Sequence, residues 1–168
     1  MDTEMITKSS CVVQRVKFDR ILALRHRILR PGLPVNSAIF DSDEELTTQH
    51  YAFVYPLPPA ENSSVVCCAS FNLTELECVP AWQLRGMATD TQHQGRGFGR
   101  ALLEGAETEL LYNSPAIHLF WCNARITALR FYEKMGWTIV SEVFLIEGAG
   151  LHHKMVKRIP HSEENEPF

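Results

Sequence analysis

Residues 94–103 read Gln94-Gly95-Arg96-Gly97-Phe98-Gly99-Arg100-Ala101-Leu102-Leu103, and no other stretch restricts so strongly what this chain can become. An apolar strand pattern, Leu84 to Ala88, runs into it and a helical pattern runs out. Glycine at alternate positions removes Cβ atoms from one side of the backbone, so N–H groups can approach a bulky anion. The following helix adds its unpaired first-turn N–H groups and the positive end of its dipole. The segment predicts a phosphate-gripping turn; the plain alternative is a turn that uses glycine for tight packing alone. Two other phosphate motifs do not match. A dinucleotide G-x-G-x-x-G starting at Gly95 needs glycine where Arg100 stands, and no Gly-Lys-Ser/Thr follows for a P-loop.

At 168 residues the chain has the length of one ordinary domain with a real core. The expectation is a single domain over 1–168, with 160–168 as an acidic, poorly ordered tail. Hydrophobic residues make 45% and charged ones 21%, ordinary for a soluble globular protein and suggesting neither disorder nor a membrane span. A net charge of −4 lacks the broad basic footprint of a nucleic-acid binder. The five cysteines show no C-x-x-C spacing, so reduced thiols and no metal are expected. With no basic start, no signal-like apolar run and no membrane-length apolar stretch, the expected compartment is the cytoplasm.

In chain order, Cys11 to Lys17 reads as a strand and 19–30 as a helix stopped by Pro31-Gly32. Residues 33–48 read as a surface loop or short helix, with Asp41 to Glu45 as a solvated charge run. His50–Tyr55 and Val65–Leu73 predict an antiparallel hairpin across the loop Pro56 to Ser64. Cys78 to Pro80 turns the chain into a fourth strand, Trp82 to Thr89, which delivers it to the glycine loop. After the loop, Phe98, Leu102, Ala106 and Leu110 form one apolar stripe, with Arg100, Glu104, Glu107 and Thr108 opposite. Ile117 to Cys122 reads as a central strand, and Asn123 as the cap of a helix Arg125 to Met135 that Gly136 ends. Trp137 to Ile146 and His152 to Arg158 predict two closing strands around Glu147-Gly148-Ala149-Gly150. The sum is an α/β protein with a mixed sheet of six to seven strands and its ligand at a strand's carboxyl end.

Gln-x-x-Gly-x-Gly, from Gln94 to Gly99, between a strand and a helix, resembles the acyl-CoA pyrophosphate loop of the GCN5-related N-acetyltransferase (GNAT) family. About thirty residues later, Asn123-Ala124-Arg125-Ile126-Thr127-Ala128-Leu129-Arg130-Phe131-Tyr132-Glu133-Lys134-Met135-Gly136-Trp137 resembles the same family's Asn, Ala, Phe-Tyr, Gly-aromatic pattern. With Leu84 to Ala88 these cover roughly residues 80–158; the first half matches only in element order. Leu29 to Pro34, Glu142 to Phe144 and Gly150 to His153 look like a bacterial subgroup of little-defined substrate. The resemblance implies a mostly antiparallel sheet flanked by helices, with acyl-CoA at the splay between strands four and five. It implies acetyl-CoA as donor, backbone groups of Met87, Ala88 and Thr89 along the pantetheine arm, and Gln94, Gly95, Arg96, Gly97, Phe98, Gly99 and Arg100 around the pyrophosphate. Asn123 would reach the cofactor, and a primary amine of a small molecule or peptide would be the acceptor. A homodimer is left open, and neither nucleic acid nor membrane is an expected partner.

Amine attack on a thioester builds negative charge on sulfur, and a phenol can donate a proton to it. On the resemblance, Tyr132 is that general acid; by pattern alone it is a core tyrosine on the helix's apolar stripe. The attacking amine must first lose a proton. Glu142 and His152 lead as bases, ahead of His118, His153 and Glu75. A route through Cys122 is disfavoured, since a cysteine in an apolar strand is usually an inert small hydrophobe. Alternative readings are an acyl-CoA sensor without turnover and a nucleotide-binding regulatory domain. The acceptor is expected to contact the less recognisable segment Arg25 to Phe40 and the closing strands.

Overall fold

Alternation along the second strand explains the layering. Tyr51 and Phe53 face one side of the sheet and Ala52 the other, and all three are buried. The computed structural model describes residues 13–56 and 64–160. Expectations for residues 11–12, for most of the Pro56 to Ser64 loop and for the tail beyond Pro160 lie outside the described residues. The strands are β1 (Val13–Val16), β2 (Gln49–Tyr55), β3 (Ser64–Leu76), β4 (Val79–Thr89), β5 (Leu119–Arg125), β6 (Thr138–Ile139), β7 (Phe144–Ile146) and β8 (Gly150–Arg158). They form one eight-stranded sheet in the order β1-β2-β3-β4-β5-β8-β6, with β7 on β8. Every pairing is antiparallel except β4 with β5. The sheet exceeds the expected six to seven strands because the first closing strand is broken: residues 140–143 leave it, separating β6 from β7.

Helix α1 (Asp19–Leu29) covers one face, burying Ile21 and Leu24 against Ala52, Cys68 and Ala88. Helix α2 (Phe98–Asn113) covers the other, packing Leu102, Leu103, Ala106 and Leu110 against Phe53, Phe71 and Phe120. Each fully buried leucine there contributes about 1.5–3 kcal/mol. The expected polar face of α2 is only partly polar. Glu107 is buried, accepting from Trp137 Nε1 at 3.2 Å and from Lys157 Nζ at 2.5 Å. A one-helix pattern cannot reveal such partners, which come from β8 and from the residue just before β6.

The second helical segment departs further from expectation. β5 continues through Asn123 to Arg125, a 3-10 turn spans Ile126–Ala128, and α3 is confined to Leu129–Lys134. Asn123 is therefore a strand residue and not a helix cap. Its backbone stays extended because residues 119–125 pair with β8 along their whole length.

The acidic run is a short helical turn, solvated as expected at Asp41, Glu44 and Glu45 but not at Ser42 and Asp43. Two 3-10 turns, Val35–Ala38 and Asp41–Glu44, fold it against α1, and Ser42 and Asp43 are buried. Arg25, with no exposed surface, donates to Asp43 Oδ2 at 2.6 Å, to the Ala38 carbonyl at 3.1 Å and to Ser70 Oγ at 2.5 Å. His50 bonds the same Ser70 hydroxyl at 2.6 Å. This network welds α1 and the acidic turn to β3, and it sets the conformation of β4. Gly86 has φ +61°, and a Cβ there would lie 2.5 Å from Arg25 Nε. The β3–β4 register shifts at this point, between Cys68 and Ser70, bulging β4.

Candidate active site

β4 and β5 pair as strands over three residues only, Trp82 to Leu84 against Phe120 to Cys122. Beyond them β4 stays with β3 as far as Thr89, while β5 follows β8 to Arg125. Two neighbouring strands thus diverge, and the wedge between their carboxyl ends opens into a cavity of about 960 Å³. Past Leu84, the edge of β4 that faces the wedge has no ladder partner among the described strands.

At one end of the wedge lies the glycine loop. Asp90 accepts from Gln92 N at 3.0 Å and from Arg27 at 2.5 Å, and both contacts hold its carboxyl below the usual range. Gln94 Nε2 donates to the Thr89 carbonyl at 3.1 Å, folding the loop back onto the strand end. Gly95 and Gly97 have φ of +73° and +84°, and a Cβ at either would meet open space. Their glycines are thus required by backbone conformation. Gly99 differs: it is helical, and a Cβ there would make ordinary contacts with Met87, Thr89 and Phe131. Gly97 is the N-cap of α2, and Phe98, Gly99 and Arg100 of the helix's first turn, where its N–H groups lack helical partners, line the cavity.

Most of the expected cofactor contacts line this one cavity. Met87, Ala88 and Thr89 do so from β4, Gln94, Gly95 and Gly97 from the loop, and Phe98, Gly99 and Arg100 from the start of α2. Asn123 lines it from β5. Arg96 does not; its guanidinium lies over the rings of Tyr55 and Phe98, at 5.2 and 5.3 Å. Arg100 lines the wall but also pairs with Glu104 at 2.9 Å.

Tyr132, on α3, forms part of the cavity wall midway along. Its ring packs beside Phe131 and Trp137, and its hydroxyl lies 3.7 Å from Met87 Sδ. Burial raises its pKa well above 10, so the phenol keeps its proton. Cys122, on β5, is also in the lining but buried, with its thiol pKa pushed up by desolvation, which removes the thiolate a covalent route needs.

His152 lines the far end of the cavity from β8, stacked on Phe144. Its Nδ1 donates to the Gly150 carbonyl at 2.7 Å, which leaves Nε2 as an acceptor. Burial, and then the nearby charges of Arg125 and Arg30, hold its pKa below 6.5. Glu142 sits exposed between β6 and β7 and is not among the residues lining the cavity. His153 is also outside the lining, bonded to the Ser141 carbonyl at 2.9 Å.

The sequence reading missed Arg85 and Arg125 as site residues, and it reached Arg30 and Phe40 only as members of a long segment. All of these line the far end. Arg85 offered a signal, a charge inside an apolar strand pattern; Arg125 offered none, being read as part of a helix.

Among the described residues no cluster of His, Cys, Asp and Glu could hold a metal ion, and no helix is long and apolar enough to cross a membrane.

The chain is similar to known proteins both in sequence and in fold. The family model described as Acetyltransferase (GNAT) domain matches residues 70–159. The uncharacterized N-acetyltransferase YitI of Bacillus subtilis strain 168 is 30% identical over 153 residues, which covers 88% of this chain and 95% of that protein. In fold, the chain resembles Escherichia coli ElaA with a TM-score of 0.69 at 15% identity, covering 88% of this chain and 100% of ElaA. It also resembles an aminoglycoside 6'-N-acetyltransferase complexed with coenzyme A, with a TM-score of 0.65 at 14% identity, covering 89% and 98% of the two chains.

Proposed function

Since the chain belongs to the GNAT acetyltransferase family, we propose that it moves an acetyl group from acetyl-CoA to a primary amine by direct attack, as one domain carrying both halves of the site. The observation that carries this reading is the splay of β4 and β5, with the glycine loop at one end and Tyr132 between that loop and His152. The aminoglycoside enzyme's complex with coenzyme A, in a chain of the same fold, supports a CoA-type donor here.

In the proposed arrangement the loop N–H groups and the start of α2 bind the pyrophosphate, with Arg100 adding charge. The unpaired edge of β4 from Met87 to Thr89 hydrogen-bonds the pantetheine amides, and Asn123 contacts the same arm from β5. His152 Nε2 takes a proton from the acceptor amine, directly or through water. The amine nitrogen bonds to the thioester carbon, the C–S bond breaks with its electron pair on sulfur, and Tyr132 donates a proton to the departing thiolate. The extra proton still on the new amide nitrogen is lost to solvent, His152 gives up the one it took, and solvent restores the Tyr132 proton. The raised pKa of Tyr132 keeps the hydroxyl protonated before each cycle, and the lowered pKa of His152 keeps its imidazole neutral at pH 7.

Release of free thiol from acetyl-CoA across a panel of amines, amino acids, polyamines, aminoglycosides and peptides tests the proposal. Acceptor-dependent thiol release supports it. CoA binding with no release for any acceptor would make the protein an acyl-CoA sensor.

A further inference from the structure

The far end of the cavity carries an excess of positive charge that the donor does not explain. No Asp or Glu appears among the described residues lining the cavity, although the protein as a whole has a net charge of −4. At the loop end, Arg100 and Lys134 are at hand for phosphates. At the opposite end, Arg30 from the end of α1 and Arg125 from the end of β5 both donate to one acceptor, the Leu29 carbonyl, at 3.1 and 2.8 Å. That shared oxygen sets two guanidinium groups side by side. Among the described residues neither has a carboxylate within ion-pair distance. Arg125 also lies opposite His152 in the β5–β8 register.

Arg85 flanks this pair. It is held over Phe40 at 4.6 Å and bonded to Ser42 Oγ at 3.1 Å, and the same ring takes Arg25 at 4.5 Å and Arg30 at 6.0 Å. Arg25 is neutralised by Asp43 in the buried network behind the wall. Arg30 and Arg125 have no such partner. Burial, and then repulsion from Arg125, depresses the pKa of Arg30. Two uncompensated guanidinium groups beside a neutral imidazole form a fork for a planar anion.

We propose that the acceptor is a small amine that also bears a carboxylate, an amino acid or a close analogue, and that Arg30 and Arg125 bind its carboxylate while its amine faces His152. This rests on the transferase reading above. Polycationic acceptors are disfavoured, because several ammonium groups would meet Arg30, Arg85 and Arg125 with no carboxylate in the wall.

The test uses the full chain saturated with CoA, titrated calorimetrically with N-acetyl derivatives of the protein amino acids and with the matching N-acetyl amides. The expected result is that at least one acid binds about tenfold or more tightly than its amide, the effect of losing a charge-assisted hydrogen bond. The preference should vanish in Arg30→Gln and Arg125→Gln and survive in part in Arg125→Lys, with CoA affinity held in all three as the sign of an intact fold. Absence of acid preference in every pair would overturn the proposal. So would Gln variants that lose CoA affinity in place of acid affinity, which would make these arginines phosphate ligands. Thiol release with spermidine and not with free amino acids would overturn it while leaving the transferase reading in place. Acid-selective binding without thiol release would keep the anion seat and remove the transferase.

Discussion

At the loop end of the cavity, Gln94, Gly95 and Gly97 to Arg100, near neighbours in the chain, build the wall around the glycine conformations of Gly95 and Gly97. At the far end, Arg30, Phe40, Arg85, Arg125 and His152 arrive from five separate places in the chain and act through side chains. A backbone cradle recognises a chemical group common to every reaction of its kind, so a short local motif suffices. A side-chain wall recognises one acceptor, and its members are held by the tertiary structure. The far wall accordingly has its own buried scaffold, Arg25 with Asp43, Ser70 and Ala38, whereas the loop closes locally through Gln94 on Thr89.

The largest break in this contrast should come from Asp43→Ala. It leaves Arg25 charged and buried, and should cost about 3–5 kcal/mol of stability by urea unfolding. A loss below about 1 kcal/mol would mean that water reaches Arg25 and that the far wall is less rigid than described. Next is Tyr132→Phe, between the two ends. Thiol-release kcat should fall about 10²-fold with acetyl-CoA affinity within about twofold, since in the proposed mechanism the hydroxyl acts on the leaving group. Unchanged turnover with a good acceptor would end its role as acid.

His152→Gln should lower kcat/KM about tenfold or more and remove the acid limb of its pH profile. The sign follows from the depressed pKa: the imidazole is neutral above 6.5 and becomes protonated only as the pH falls below that value, so wild-type activity drops on the acid side alone. An acid limb that persists in the variant would assign the base elsewhere. At the loop end, Gly97→Val forces a branched side chain to φ +84° and should weaken CoA binding by about tenfold, about 1.4 kcal/mol, in a folded protein. Calorimetric affinity equal to wild type would separate the loop from the site. The smallest effect belongs to Arg96→Met, whose guanidinium lies over the rings of Tyr55 and Phe98 and does not itself line the cavity; its change in CoA affinity should stay below about 1 kcal/mol and below that of Arg100→Met.

Sequence legibility follows the same division. The strand-to-loop-to-α2 unit is nearly as expected because its signals are local: apolar alternation, glycine at positions of positive φ, and an apolar helical stripe. Asn123 was misassigned because a cap and an extended residue look alike until β8 is known to pair with it. Asp43 was misread as solvated because its partner, Arg25, lies on another element. Glu107 was placed on a polar face because Lys157 and Trp137 reach it from β8 and from just before β6.

By itself, then, the sequence determined the order of elements, the glycine turn after the fourth strand and the family, since each depends on residues close together in the chain. Only the tertiary structure decided the divergence of β4 from β5, the bulge that Arg25 and Gly86 share, and the meeting of Arg30 with Arg125 on one carbonyl. The physical reason is range. Backbone conformation and periodic burial are set within a turn or a strand, whereas the pairing of charges and the partner of a strand edge are settled only when distant segments compete for the same buried space.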